Sequence, residues 1–263
     1  MMQIGILQLS GLFAIALAAG TIDAVAGGGG LLTLPALMAT GIPPVSALAT
    51  NKAQAIFSVF SATLHFRRRK RLDLRVLGRP AFMSFAGAVC GAASVSLIDP
   101  GVLKPLIPFV LIAICLWLAF KPGIGEGTRP RISAAAAGLT LVPLVGFYDG
   151  FLGPGTGTFF ALGLAGLTAL KLDQATIEAK LFNFMSNLGA LAFFLLAGHI
   201  AWLYAAVMAA GMMAGGQIGA RLVLRHGAGL IRPLLIATSL AMSLRLLWQN
   251  GTLERMWSAI TPT

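Results

Sequence analysis

Gly20-Thr21-Ile22-Asp23-Ala24-Val25-Ala26-Gly27-Gly28-Gly29-Gly30 recurs in looser form 126 residues later as Gly146-Phe147-Tyr148-Asp149-Gly150-Phe151-Leu152-Gly153-Pro154-Gly155-Thr156-Gly157. Twice an apolar run reaches an aspartate and, four residues on, a run of glycines. Each glycine run is followed by an apolar piece, Leu31 to Ala39 and Phe159 to Leu170, that falls short of the roughly 20 residues a crossing helix needs. After a two-residue slip the correspondence continues, with Lys52 on Lys180, Ser58 on Ser186 and the loop at Arg71 on the turn at His199. A long fixed offset of this kind is the mark of a duplicated unit.

Composition says where such a unit sits. Of the 263 residues, 57% are AVILMFWYC and only 10% are charged, against roughly 25% in a soluble domain. With a mean hydropathy of +0.88 the chain has too little polar surface to face water all round. It reads as an all-α polytopic membrane protein with about eight to ten membrane segments, lying in the cell membrane with the bilayer as its surroundings. The net charge of +11 is concentrated, since Arg67, Arg68, Arg69, Lys70, Arg71, Arg75 and Arg79 share one short loop between apolar runs. Such a loop is the positive-inside signature, so no nucleic-acid partner is expected. Cys90 and Cys115 lie in apolar runs and read as small packing residues. The opening MMQIGILQLS has no basic stretch of the kind that begins a cleaved signal peptide.

The apolar runs divide into ten segments. The first extends from Ile4 to Val25, the second is the short piece after the glycines, and the third opens at Pro43-Pro44 and continues to Phe66. Pro80 to Ile98 and Val102 to Phe120 complete one unit, and Lys121 to Arg131, rich in Pro and Gly, reads as a cytoplasmic linker. Ile132 to Phe151, Phe159 to Leu170, Ala175 to Ala197, Ala201 to Val223 and Leu230 to Trp248 form the second. The expected organisation is a membrane repeat over residues 1–120, the linker over 121–131 and a second repeat over 132–251. Five crossings per copy place Lys121, Arg129, Arg131, Arg221, Arg225 and Arg232 on the same side as the Arg67 to Arg79 loop, and the neutral His199 turn opposite. Eight crossings, with the short pieces as re-entrant hairpins, move Arg221, Arg225 and Arg232 to the other side. Charge therefore favours two copies of inverted topology.

At this point the residues carry a resemblance. Gly20-x-x-Asp23-Ala24-x-Ala26-Gly27-Gly28-Gly29-Gly30, then Pro35-Ala36-Leu37 and Ala49-Thr50-Asn51-Lys52, with a degenerate second copy, resemble the sulfite exporter (TauE/SafE-type) permease family over essentially the whole chain. The second copy departs from the pattern, with Pro154 inside its glycine run and Glu178-Ala179 in place of Thr50-Asn51 before the lysine. The resemblance implies a membrane permease for small sulfur-containing or carboxylate anions, without naming the anion.

Read on their own chemistry, the same residues outline a candidate substrate site. Lys52 and Lys180 stand in otherwise apolar segments, where a charge is costly unless it faces a cavity or a partner. Either they snorkel to an interface or they face an anion, one from each copy. Lys180, Asn183 and Asn187 are spaced i, i+3, i+7 and share a helix face. The first copy has Ala55 and Val59 at the asparagine positions and offers Thr50 and Asn51 instead, so any site is asymmetric. The glycines have two readings as well. Gly28, Gly29, Gly30 and Gly155, Thr156, Gly157 either pack helices closely or open a broken helix whose free N–H groups meet an anion. Asp23 and Asp149 read first as structural groups that hold the breaks, the alternative being carriers of a coupling proton. Too few His, Cys and carboxylate ligands can be assembled for a metal site, and no cofactor is expected.

A secondary transporter for small anions is the leading functional class. An anion channel shares the broken helices, and a membrane-embedded enzyme lacks a visible catalytic constellation. Oligomeric state is open, a homodimer included.

Overall fold

The structure is a computed structural model that describes residues 5–99 and 130–226. The expected segments Val102 to Phe120 and Leu230 to Trp248, most of the linker, and Cys115 lie outside the described residues. Within them the chain forms helices and no strand: α1 (Ile6–Ala26), α2 (Gly29–Met38), α3 (Pro44–Arg68), α4 (Leu74–Ser96), α5 (Ala134–Leu139), α6 (Leu141–Phe151), α7 (Thr156–Thr168), α8 (Leu172–Ala197) and α9 (Trp202–His226). By length and composition α1, α4, α5 with α6, α8 and α9 are apolar enough to cross a membrane, and α2 and α7 are shorter apolar helices. Helix α3 has the length, but it turns Asn51, Lys52, Gln54, Ser58, Ser61 and Thr63 into the protein.

Local chemistry explains the ends. Gly27, at φ 75°, closes α1 in the left-handed conformation with its N–H on the Asp23 carbonyl, 2.7 Å away. Pro44 starts α3, where a missing N–H costs nothing. Helix α4 begins six residues before the expected Pro80, because the Asp73 carboxylate accepts the Arg75 N–H and supplies a cap that hydropathy does not register. The segment expected as one piece from Ile132 to Phe151 is interrupted at Thr140, which ends α5 and precedes α6. Cys90, expected to pack, is exposed on α4.

Packing is by exchange between the two halves of the chain. Helix α1 lies along α9 and α4 along α6, and glycines bring the backbones together in both pairs. A methyl group added at Gly20 would stand 2.6 Å from the Met212 carbonyl oxygen, and one at Gly146 2.5 Å from that of Ser84. Gly211, Gly215 and Gly219 on α9, and Gly87, Gly91 and Gly150 at the other pair, make the same kind of contact. In lipid, where burial of apolar surface does not by itself distinguish helix from solvent, such close van der Waals approach is the main source of association.

Helices α3 and α8 form the centre and run antiparallel. Arg71, just past α3, pairs with Asp173 at the start of α8 at 3.3 Å, while Thr50 near the start of α3 accepts the N–H of Ala201, just past α8, at 2.9 Å. The basic stretch expected as one loop is a short connection over residues 69–73, with Arg67 and Arg68 in the last turn of α3 and Arg75 and Arg79 already in α4; it and the His199 turn therefore lie at opposite ends of this pair. About 20 residues separate Thr50 from Arg71, close to 30 Å of helix.

Candidate functional site

The two glycine breaks meet in the middle of the molecule. A methyl group at Gly157 would stand 2.6 Å from the Gly27 Cα, so the end of α1 touches the first turn of α7 backbone to backbone. Thr158 fastens the crossing by donating its hydroxyl to the Ala26 carbonyl at 2.5 Å. Neither glycine could carry a side chain there. For these two, close packing is an established role. At the same time each break starts a helix, α2 and α7, whose first-turn N–H groups have no acceptor within their own helix.

Both lysines lie at this crossing and neither reaches an interface. Lys52 is 2% exposed and Lys180 1%, which excludes snorkelling. Lys52 crosses from α3 to the other half of the chain, where its Nζ is 2.6 Å from Asp149 Oδ1. The second oxygen of that carboxylate accepts from the Ser186 hydroxyl at 2.7 Å and the Asn187 amide at 3.1 Å. Asp149 is thus held by one cation and two neutral donors. Lys180 crosses the opposite way, from α8 to the end of α1, and donates to the main-chain carbonyl of Asp23. That carbonyl belongs to the last turn of α1, the negative end of its dipole, so an ammonium is favoured there without a carboxylate contact. The Asp23 carboxylate accepts instead from Ser58 at 3.2 Å and from the Gly29 N–H at 3.4 Å.

The remaining expected residues divide. Asn183 places its amide nitrogen 3.3 Å, and Lys180 its Nζ 3.2 Å, from where a Gly157 methyl group would be. Asn51 accepts at Oδ1 from Thr33 at 2.5 Å and from Gln54 at 2.9 Å, and its amide nitrogen lies beside Gly30 and Pro154. Asn187 is committed to Asp149 and to Asn183. Thr50 is not part of the cluster, because its hydroxyl satisfies the Ala201 N–H at the start of α9. Thr156 donates to Gly153 and closes the turn before α7, for which Gly155 supplies φ 81°. Gly29 packs on Asp23, where a methyl group would stand 2.6 Å from the aspartate Cβ, and Gly28, buried, caps α2. A branched side chain at Gly29 or Gly155 therefore tests packing or turn geometry before it tests access by an anion.

Sequence reasoning aligned Ser58 with Ser186 but assigned them no role. Their signal was present in the spacing, since each lies six residues beyond its lysine on the same helix. Thr33, Gln54 and Thr158 had no such signal. A cavity of about 250 Å³ lies elsewhere, on the far face of α8, where Glu178 and Phe182 join Arg79, Pro80, Gly138 and Leu164. Its walls are mainly apolar, and neither Lys52 nor Lys180 lines it.

The family model described as Sulfite exporter TauE/SafE matches residues 12–246. A Sinorhizobium protein named "Probable membrane transporter protein ORF9" is 44% identical over 250 residues, which cover 95% of this chain and 96% of that protein. A "Probable membrane transporter protein" of Haemophilus influenzae is 41% identical over 251 residues, covering 95% and 98%. The Escherichia coli K12 "Probable membrane transporter protein YfcA" is 43% identical over 245 residues, covering 93% and 91%. No solved structure matches the chain.

Proposed function

Because the chain belongs to the sulfite exporter TauE/SafE family, whose members are integral membrane transporters and not enzymes, we propose that it is a secondary transporter of small anions: sulfite, organosulfonates or related sulfur-containing or carboxylate anions. The proposed site is the crossing of the two broken helices. The observation that supports it most is Lys180, a fully buried ammonium held by a carbonyl, with the Asn183 amide and the first turn of α7 beside it. An anion there gains a cation, amide donors and helix-start N–H groups, and such groups together favour negative charge. Lys52, by contrast, is neutralised by Asp149 and ties the halves together.

The cluster is closed to water, so passage requires the halves to part on one side at a time, the alternating access expected of two related halves around a central site. In this reading residues 1–120 and 132–251 are the two halves, inverted in the bilayer, with the Arg67 to Arg79 loop in the cytoplasm. Purified protein in liposomes, given sulfite, sulfate, methanesulfonate and small carboxylates in turn, should show saturable uptake or exchange of at least one anion. If none moves above the rate of empty liposomes, the anion-transport reading is wrong. Topology has its own check: single cysteines at Lys70 and His199 should label from opposite sides of sealed vesicles, and labelling of both from one side removes the inverted arrangement.

A further inference from the structure

The central cluster is balanced in charge. Lys52 and Lys180 face Asp23 and Asp149, all four at most 5% exposed, and the sum of their formal charges is zero. A monovalent anion entering beside Lys180 would leave one uncompensated negative charge in a closed, weakly polarisable interior, which is strongly unfavourable. Something positive must accompany it. Among the described residues no spare cation is at hand, because Lys52 is bound to Asp149, and protonating one of the two carboxylates restores balance with the least rearrangement.

The two carboxylates are not equivalent. To take a proton Asp149 would have to give up an ammonium at 2.6 Å and weaken side-chain bonds at 2.7 and 3.1 Å. Asp23 has only neutral donors, at 3.2 and 3.4 Å, and the lysine of its junction rests on its main-chain oxygen, leaving the carboxylate outside ion-pair distance. Among the elements packed against this end of α1, α2 and α7 carry no titratable side chain. On α3, Lys52 is taken by Asp149, and His65, Arg67 and Arg68 lie at its last turn. On α8, Lys180 is adjacent, Asp173 is paired with Arg71, and Glu178 lines the cavity on the far face. On α9, which runs parallel to α1, Tyr204 lies in the first turn at the end far from Asp23, while Arg221, two residues past the Gly219 that packs on Thr21 and Ala24, lies toward the Asp23 end and is exposed, as are Arg225 and His226.

From this asymmetry we infer that Asp23 is the proton carrier that couples transport: one proton from the water on the entry side binds the Asp23 carboxylate as one anion binds beside Lys180, and both leave on the other side. This rests on the anion-transport reading above. It predicts electroneutral symport for a monovalent anion and one unbalanced negative charge for a divalent one.

Liposomes holding the full chain test it with methanesulfonate and sulfate, chosen because both keep their charge over the working pH range. Wild-type protein should accumulate methanesulfonate when the outside is made one pH unit more acidic, up to about tenfold at the limit of one proton per anion, with uptake indifferent to membrane potential. Sulfate uptake should respond to potential as well as to pH. Asp23→Asn should lose at least tenfold of the pH-driven accumulation while anion exchange without a gradient falls less than threefold, and Asp23→Glu should restore coupling. The wild-type stoichiometry, one proton per methanesulfonate by a pH-sensitive dye, decides the matter if the asparagine variant does not fold. Exchange without any pH-driven accumulation in the wild type would overturn the proton carrier and leave anion transport standing, as would coupling retained in Asp23→Asn. Failure of the wild type to move either anion or any other on the panel would overturn the transport reading, and this inference with it.

Discussion

Lys52 and Lys180 begin from matching places on α3 and α8, and each crosses to the helix break of the other half of the chain. There the likeness ends. The first meets a carboxylate and, with Ser186 and Asn187, gives both oxygens of Asp149 a donor. The second meets a carbonyl and leaves the Asp23 carboxylate with two longer, neutral bonds. One junction is a clasp between opposite charges, and the other is an ammonium on a helix end, the partner proposed above for the anion. The difference teaches that a buried lysine's position says little about its role until its partner is known, because a full counter-charge and a helix end both make burial tolerable.

The largest effect should come from breaking the clasp. Lys52→Met leaves the Asp149 carboxylate buried with no cation and should cost about 3 to 5 kcal/mol, seen as a large fall in the thermal midpoint in detergent. Adding Asp149→Asn to it should recover most of that loss. A single variant as stable as the wild type would mean that the pair is not a clasp. Next is Lys180→Gln, which removes a charge-assisted contact of about 1.5 to 3 kcal/mol and should raise the half-saturating anion concentration about ten- to a hundredfold. Its stability should suffer less than that of Lys52→Met. The reverse ranking, with Lys180 needed for stability and Lys52 for affinity, would exchange the roles of the two junctions.

The serines sharpen the comparison at smaller scale. Ser186→Ala removes a 2.7 Å donor from a charged acceptor and should cost about 2 kcal/mol, whereas Ser58→Ala removes a 3.2 Å donor and should cost about 1 kcal/mol or less. Chemical denaturation of the two variants side by side is the measurement. Equal costs would show that the carboxylates are held alike, and would weaken the case for Asp23 as the looser of the two.

Several parts of this arrangement were legible in the order of residues. Hydropathy located the long helices, because a segment that crosses lipid must be apolar along about 20 residues whatever it packs against. The glycine runs marked where α1 ends and where α7 begins, since few residues other than glycine take up the left-handed conformation seen at Gly27 and Gly155. Other features were hidden. The cap at Asp73 and the interruption at Thr140 are made of single hydrogen bonds and torsions that no hydropathy window records. Thr50 stands beside Asn51 and Lys52 in the chain, yet on a helix adjacent residues point about 100° apart, and it serves the start of α9 instead.

The sequence by itself determined a helical membrane protein of a recognisable transporter family, two glycine-broken segments, and a short set of polar residues too costly to bury without purpose. The tertiary structure alone decided their pairing. Asp149 is 97 residues from Lys52, and Asp23 is 157 from Lys180. No local rule connects them, because contacts between halves depend on how helices cross, and the glycines at those crossings also have their partners far along the chain. Residue types announce that charge will be buried, and only the packed backbone determines which lysine meets a carboxylate and which a helix-end carbonyl.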